Sequence, residues 1–177
     1  GDGYANFAVN GYRADDLLAL LPDYRDEIAR ADILVFDIGY NDILSSLYSA
    51  MCRAMGDDYY LSEIASAFAR MPETDREAVM QALPSVDTDP FFRALYEQFE
   101  GDLHAVLDTL RDYAPDARIY MQSIYNPLAA LGVFADFSNG AVEKLNSILN
   151  DTAGKYDCGF LDVYGAFTSH ESEYTYM

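Results

Sequence analysis

Two short segments carry groups able to stabilise negative charge on oxygen. The first is Gly39-Tyr40-Asn41-Asp42, which follows the apolar run Asp32 to Ile38. An asparagine placed where a strand gives way to a helix can aim its side-chain NH2 into the crevice beyond the strand. There it acts as a fixed donor to an oxygen that gains charge during acyl transfer. Taken as a bare tetrapeptide, the same residues also fit an ordinary strand-to-helix turn. The second segment ends at Gly11, after Asn6 to Asn10. Gly11 suits a turn of positive φ, and without a Cβ its backbone N–H is open to the approach of an oxyanion. The 30 residues from Gly11 to Asn41 are enough for one crossover helix between neighbouring parallel strands.

The nucleophile and base that such donors would serve have no clear local counterpart. No Gly-Asp-Ser occurs, and Gly1-Asp2-Gly3 lacks the serine and lies too close to Gly11 for a strand and helix to intervene. Ser45, Ser46 and Ser123 have no histidine beside them in the sequence and read as helix or strand-end serines. Neither histidine closes an Asp-x-x-His: Gly101 stands three before His104, and Phe167 three before His170. His104 falls on an amphipathic stretch and His170 in the polar Thr168-Ser169-His170-Glu171, so both read as structural or exposed. Asp87-x-Asp89 lacks the glycine and distal glutamate of a calcium loop. Asp15-Asp16 and Asp57-Asp58 read as solvated helix-end acids. No glycine-rich phosphate cradle is present. Cys52 and Cys158 do not form a Cys-x-x-Cys pair; they read as buried thiols, with a disulfide left open. No metal and no cofactor is expected. Of the 15 tyrosines, most should straddle core and surface, and some are available to line a sugar or aryl cleft.

The elements that would position Gly11 and Asn41 alternate in type. Asn6 to Asn10 reads as a short strand. Ala14 to Leu21 reads as a helix with acids in its first turn, and Tyr24 to Arg30 as a second helical segment. Asp32 to Ile38 is the best candidate for a buried parallel strand. Asn41 or Asp42 can cap the helix that follows, Ile43 to Met55. From Asp57 to Pro90 apolar residues recur at helical spacing and prolines break the pattern, which suggests a helical insertion. Phe91 to Tyr113 is a long amphipathic helix, Ala117 to Ser123 a strand, Ile124 to Ser138 a loop, Gly140 to Tyr156 a helix and Gly159 to Val163 a last strand. Strands alternating with helices imply a parallel sheet in an α/β fold, with ligands bound beyond the carboxyl ends of the strands.

Composition narrows the partners. The chain has 177 residues, which suits one domain, and its 51% hydrophobic residues can build a core. A formal net charge of −19 repels phosphate backbones and anionic membranes, and favours a neutral or polyhydroxylated substrate. No apolar run is long enough for a membrane helix. No signal-like segment opens the chain, which leaves a trimmed secreted form or a cytoplasmic protein; secretion or a cell-surface place is favoured.

Four segments in order resemble the SGNH/GDSL hydrolases. Asn6 to Tyr12 with Ala14-Asp15-Asp16-Leu17-Leu18 looks like that family's second block, and Ile38-Gly39-Tyr40-Asn41-Asp42 like its third. Ile119 to Pro127 and Phe160 to Tyr164 resemble later strands of bacterial members. The resemblance implies a three-layer α/β/α sandwich, flavodoxin-like, in one domain over 1–177 with a helical insertion at 57–90. It also implies carboxylic-ester hydrolysis, with Gly11 and Asn41 as oxyanion-hole donors and a small-molecule or carbohydrate ester as substrate. Because the serine block and the Asp-x-x-His block are both missing, the chain is expected to be truncated at both ends and inactive by itself. Two other readings stay open: a binding module for glycan or acyl ligands without catalysis, and a flavodoxin-like interaction domain. Loss of a first strand would also expose a sheet edge, so a homodimer or swapped assembly is expected.

Overall fold

Runs of β-branched and aromatic residues form the strands, and residues of helical periodicity form the layers around them. The structure, a computed structural model, describes residues 3–168, 170 and 173, with backbone alone at 127, 130 and 131. After an irregular N-terminal segment, α1 spans Ala14–Leu20 and leads through a 3-10 turn, Leu21–Tyr24, into the short α2, Arg25–Ile28. Strand β1 (Ile33–Phe36) is followed by α3 (Tyr40–Met55), α4 (Leu61–Arg70), α5 (Glu73–Ala82) and α6 (Pro90–Tyr113). Strand β2 (Arg118–Gln122) then precedes a 3-10 stretch, Pro127–Phe134, and α7 (Ala135–Lys155), and β3 (Gly159–Leu161) leads into α8 (Val163–Phe167).

The sheet is parallel in the order β1-β2-β3. Leu34 pairs with Ile119, and Phe36 with Met121. Ile119 and Met121 are buried on the face covered by the long helices. On α6 the buried residues Phe92, Tyr96, Phe99, Leu103, Val106, Leu107 and Leu110 recur every three or four positions, which makes one continuous apolar stripe. That stripe meets Ile43, Leu47 and Met51 of α3 and Leu145 and Leu149 of α7 in a single core. The start of α6 is set locally: Pro90 occupies its first turn and the Asp89 carboxylate accepts the Phe91 and Phe92 amides at 2.9 and 3.4 Å.

Several sequence expectations are corrected. Asn6 to Asn10 forms no strand; the segment is extended and exposed, and the turn is at Asn10–Gly11. Apolar alternation favours an extended chain, but a strand also needs a neighbour to pair with, and this segment pairs with none of the three. Strand β1 is an edge rather than a buried strand: Ile33 and Val35 are 47% and 59% exposed on the face opposite Leu34. Neither Asn41 nor Asp42 caps α3; the N-cap is Gly39 and both residues lie in the first turn. Helix α7 begins at Ala135, not Gly140, because the segment from Ala135 on is already anchored by buried Phe137 and Ser138. Both cysteines are free, Cys52 buried and Cys158 half-buried. Gly1 and Asp2 of the Gly1-Asp2-Gly3 segment lie outside the described residues, as do Ser169, Glu171 and 174–177.

Candidate active site

Strand β1 and helix α3 meet at Gly39, whose φ of +120° turns the chain sharply enough to start the helix at once. The turn is tight against the core. A Cβ on Gly39 would lie 2.6 Å from Leu145 Cδ2 and 3.0 Å from Phe99 Cζ. Asn41 therefore stands at the carboxyl end of β1 on the first turn of α3, half-buried.

From there Asn41 reaches back across the chain. Its Nδ2 donates to the Tyr12 carbonyl at 3.0 Å. Tyr12 directly follows Gly11, so the two segments singled out in the sequence are brought together even though the first is not a strand. Gly11 has a φ of +86°, is exposed, and has open space where a Cβ would stand. The next residue of α3 takes part as well. Both carboxylate oxygens of Asp42 accept the Ala14 amide, at 3.2 and 3.3 Å. Asp42 is 7% exposed, and burial pushes its carboxyl up to about 6, against the lowering pull of the Ala14 amide and of Arg13.

Neighbouring loops are held just as firmly. Asn146 of α7 bridges both polar groups of Ile124, accepting its amide at 2.9 Å and donating to its carbonyl at 2.8 Å. Asn126 donates to Ser138 Oγ and Asn139 Oδ1 at 2.8 and 2.7 Å and accepts the Leu128 amide at 2.9 Å. Ser123, buried, accepts the Tyr164 amide at 2.8 Å and faces Asp162 at 3.4 Å, so its hydroxyl serves the fold. Asp37 accepts from Gln122 at 3.2 Å, and burial raises its carboxyl above the ordinary range. Tyr40 is raised by burial and then by Tyr125, and the Tyr125 ring stacks on Phe167 at 4.7 Å. Tyr40, next to Asn41 in the first turn of α3, is thus within electrostatic reach of Tyr125 from the loop after β2.

The other sequence candidates lie apart from this constellation. Ser45 is exposed on α3 and Ser46 is buried in it. His104, on α6, faces Glu100 at 3.9 Å and the Tyr156 ring at 5.5 Å. His170 is exposed, with Nδ1 3.2 Å from the Glu173 carboxylate. Asp89 is the α6 cap described above, and no group of three metal-ligating side chains occurs among the described residues. Two hollows, of about 520 and 700 Å³, lie elsewhere: one at the amino ends of β2 and β3 beside Arg111, the other against α4 and α5 beside Arg76. Sequence reading missed Asp42 and Asn146. An acid in a first helical turn and an asparagine within a helix look ordinary until their distant partners, Ala14 and Ile124, are known.

Comparison with known proteins places the chain by family and fold. The profile of the GDSL-like lipase/acylhydrolase family matches residues 1–177. No curated protein matches in sequence. Among solved structures, a phospholipase A1 from Streptomyces albidoflavus superposes with a TM-score of 0.59 at 18% identity, over 93% of this chain and 62% of that one. An extracellular lipase from Streptomyces rimosus gives 0.56 at 20% identity, over 90% of this chain and 61% of that one. These likenesses show a shared fold, and the chain spans less than two thirds of the length of either protein.

Proposed function

The chain belongs to the GDSL-like lipase/acylhydrolase family, and on that premise we propose that it forms the oxyanion-stabilising part of a carboxylic-ester hydrolase, with the Gly11 N–H and the Asn41 side-chain amide as donors. The observation that carries this reading is the Asn41–Tyr12 hydrogen bond. A primary amide has two N–H groups. One of them is held by the Tyr12 carbonyl, which restrains the plane of the amide; the second is the one assigned to the oxyanion. Gly11, one residue before Tyr12, lies on an exposed turn with open space where a Cβ would stand.

Donors fixed in this way stabilise the tetrahedral intermediate formed when a nucleophile attacks an acyl carbonyl, because they need no reorganisation as charge moves onto oxygen. In the family this chain resembles, a serine attacks, an acyl-enzyme forms and water releases it. The serine block and the Asp-x-x-His block are absent from these 177 residues, so the 177-residue chain supplies the oxyanion donors without the nucleophile or base. The residues form one domain, with 57–90 as a helical insertion. The substrate is a small acyl ester or an acylated carbohydrate, in keeping with the strongly negative surface. The protein is secreted or held at the cell surface; the similar lipase is extracellular, and no helix among the described residues is long and apolar enough to cross a membrane.

Ester turnover tests the reading. The 177-residue chain on p-nitrophenyl acetate should match buffer. The natural protein that carries it, at the length its gene specifies, should hydrolyse the ester and take up one fluorophosphonate on a serine. A natural protein that binds acyl ligands but neither turns over ester nor labels would overturn it.

A further inference from the structure

Asp42 is the only buried carboxylate among the described residues. A carboxylate carries a desolvation cost when buried, so one that stays is held for what it contacts. Here it faces the residues next to the proposed oxyanion donors. Its two oxygens share the Ala14 amide at 3.2 and 3.3 Å. The charged groups that face it are Arg13, whose Nε is 3.9 Å away, and Asp15, which opposes its ionisation. Arg13 is itself tied down, its amide donating to Asp16 at 3.0 Å.

The placement matters because of register. Asn41 and Asp42 are consecutive on α3, and they take hold of Tyr12 and Ala14, two residues apart where the chain enters α1. Asn41 grips a carbonyl and Asp42 an amide. Either contact alone would let the 11–14 segment rotate about it. Together they fix both its position and its direction, and with them the Gly11 N–H. No strand pairing holds this segment; α1 holds its far end from Arg13 on, and Asn41 and Asp42 bind it at Tyr12 and Ala14.

We propose that Asp42 is a positioning residue of the oxyanion pair: its carboxylate clamps the Ala14 amide, which sets the Tyr12 carbonyl against Asn41 and so fixes the direction of both donors. The proposal rests on the oxyanion reading of Gly11 and Asn41 for its purpose, but the clamp itself can be tested without substrate. On protonation Asp42 loses the charge that strengthens its bond to the Ala14 amide and that faces Arg13; burial places that change near pH 6, and it must be felt at Asn41.

The test is NMR of the 15N-labelled 177-residue chain, following the Asn41 side-chain NH2 and the Gly11 and Ala14 amides from pH 4 to pH 8. In the unsubstituted chain these signals should move together with one midpoint near 6. In Asp42→Asn, which keeps an accepting oxygen and the shape but cannot titrate, they should keep one position throughout, with no midpoint near 6. In Asp42→Ala, with circular dichroism confirming the fold, Ala14 amide exchange should quicken by roughly tenfold or more, and the Asn41 NH2 signals should shift away. Pairing that is lost in Asp42→Ala and restored in Asp42→Asn supports the clamp. Asn41 signals that are flat with pH, or unchanged in Asp42→Ala, overturn it. Since no ester is present, failure here is distinct from failure of Asn41 to act in catalysis.

Discussion

Gly39→Ala should be among the costliest single-methyl additions the chain could suffer. Two effects add. A φ of +120° lies where L-residues are strained, at about 1–3 kcal/mol. The new Cβ would also stand 2.6 Å from Leu145 Cδ2 and 3.0 Å from Phe99 Cζ. Leu145 and Phe99 are 0% and 1% exposed, so neither can swing into solvent, and overpacking a closed core adds about 1–3 kcal/mol. The expected loss is therefore about 2–6 kcal/mol. The assay is urea unfolding followed by circular dichroism at 222 nm, with Gly11→Ala as the comparison. Gly11 also has positive φ, +86°, but a Cβ there would meet nothing within 4 Å, so only the strain remains, about 1 kcal/mol. If Gly39→Ala lost less than Gly11→Ala, the claim that this hinge is packed against α6 and α7 would be wrong. The same substitution should shift the Asn41 NH2 signals, because the hinge sets where α3 begins.

Three further outcomes follow from the geometry. Asp42, with its carboxyl raised from the ordinary 3.8 to about 6, contributes stability that is fully present below pH 3.8 and is lost as the pH rises through 6. Two units correspond to about 3 kcal/mol, so Asp42→Asn should gain roughly that much on the unsubstituted chain between pH 3 and pH 8; parallel stability curves would refute this. Asn146→Ala should lose about 2–4 kcal/mol, because it leaves the Ile124 amide and carbonyl buried without partners; a loss below 1 kcal/mol in urea unfolding would contradict it. Arg111 donates to the Ala117, Tyr156 and Asp157 carbonyls at 2.7, 3.1 and 3.2 Å, joining the turns that lead into β2 and β3. Arg111→Met should cost about 1–3 kcal/mol, and thermal unfolding with an unchanged midpoint would show the tie to be idle.

Much of this architecture is legible in the residues alone. The apolar runs at Ile33 to Phe36, Arg118 to Gln122 and Gly159 to Leu161 are strands, and the three-and-four spacing from Phe92 to Leu110 is one buried helical stripe. Gly11 and Asn41 were visible as candidates because glycine and asparagine have local reasons to sit at turns and strand ends. What stayed hidden depends on partners far along the chain. The segment Asn6 to Asn10 has the alternation of a strand, but pairing is a property of two segments. Strand β1 has the composition of a buried parallel strand, yet the sheet face that carries Ile33 and Val35 is exposed, a fact of how the layers pack rather than of residue type. Asp42 looks like a charge placed to suit the dipole of α3; only the fold shows it facing Ala14, 28 residues away.

Among the described residues β1 pairs with β2 alone, and this edge connects to the expectation of self-association. Unpaired edges with apolar side chains are sites of strand addition, and the 177-residue chain is accordingly expected to dimerise in light scattering. A net charge of −19 opposes close approach of two copies, so the association should strengthen as salt is added.

The central claim, that Asn41 and Gly11 form an oxyanion pair, is tested most directly by Asn41→Ala in the natural full-length protein. Turnover of p-nitrophenyl acetate should fall by about 10²–10³ in kcat, the usual cost of one such donor, while KM changes little and the fluorophosphonate-reactive serine still labels, though more slowly. An unchanged kcat in a folded Asn41→Ala protein would remove Asn41 from the chemistry and leave its bond to Tyr12 a purely structural one.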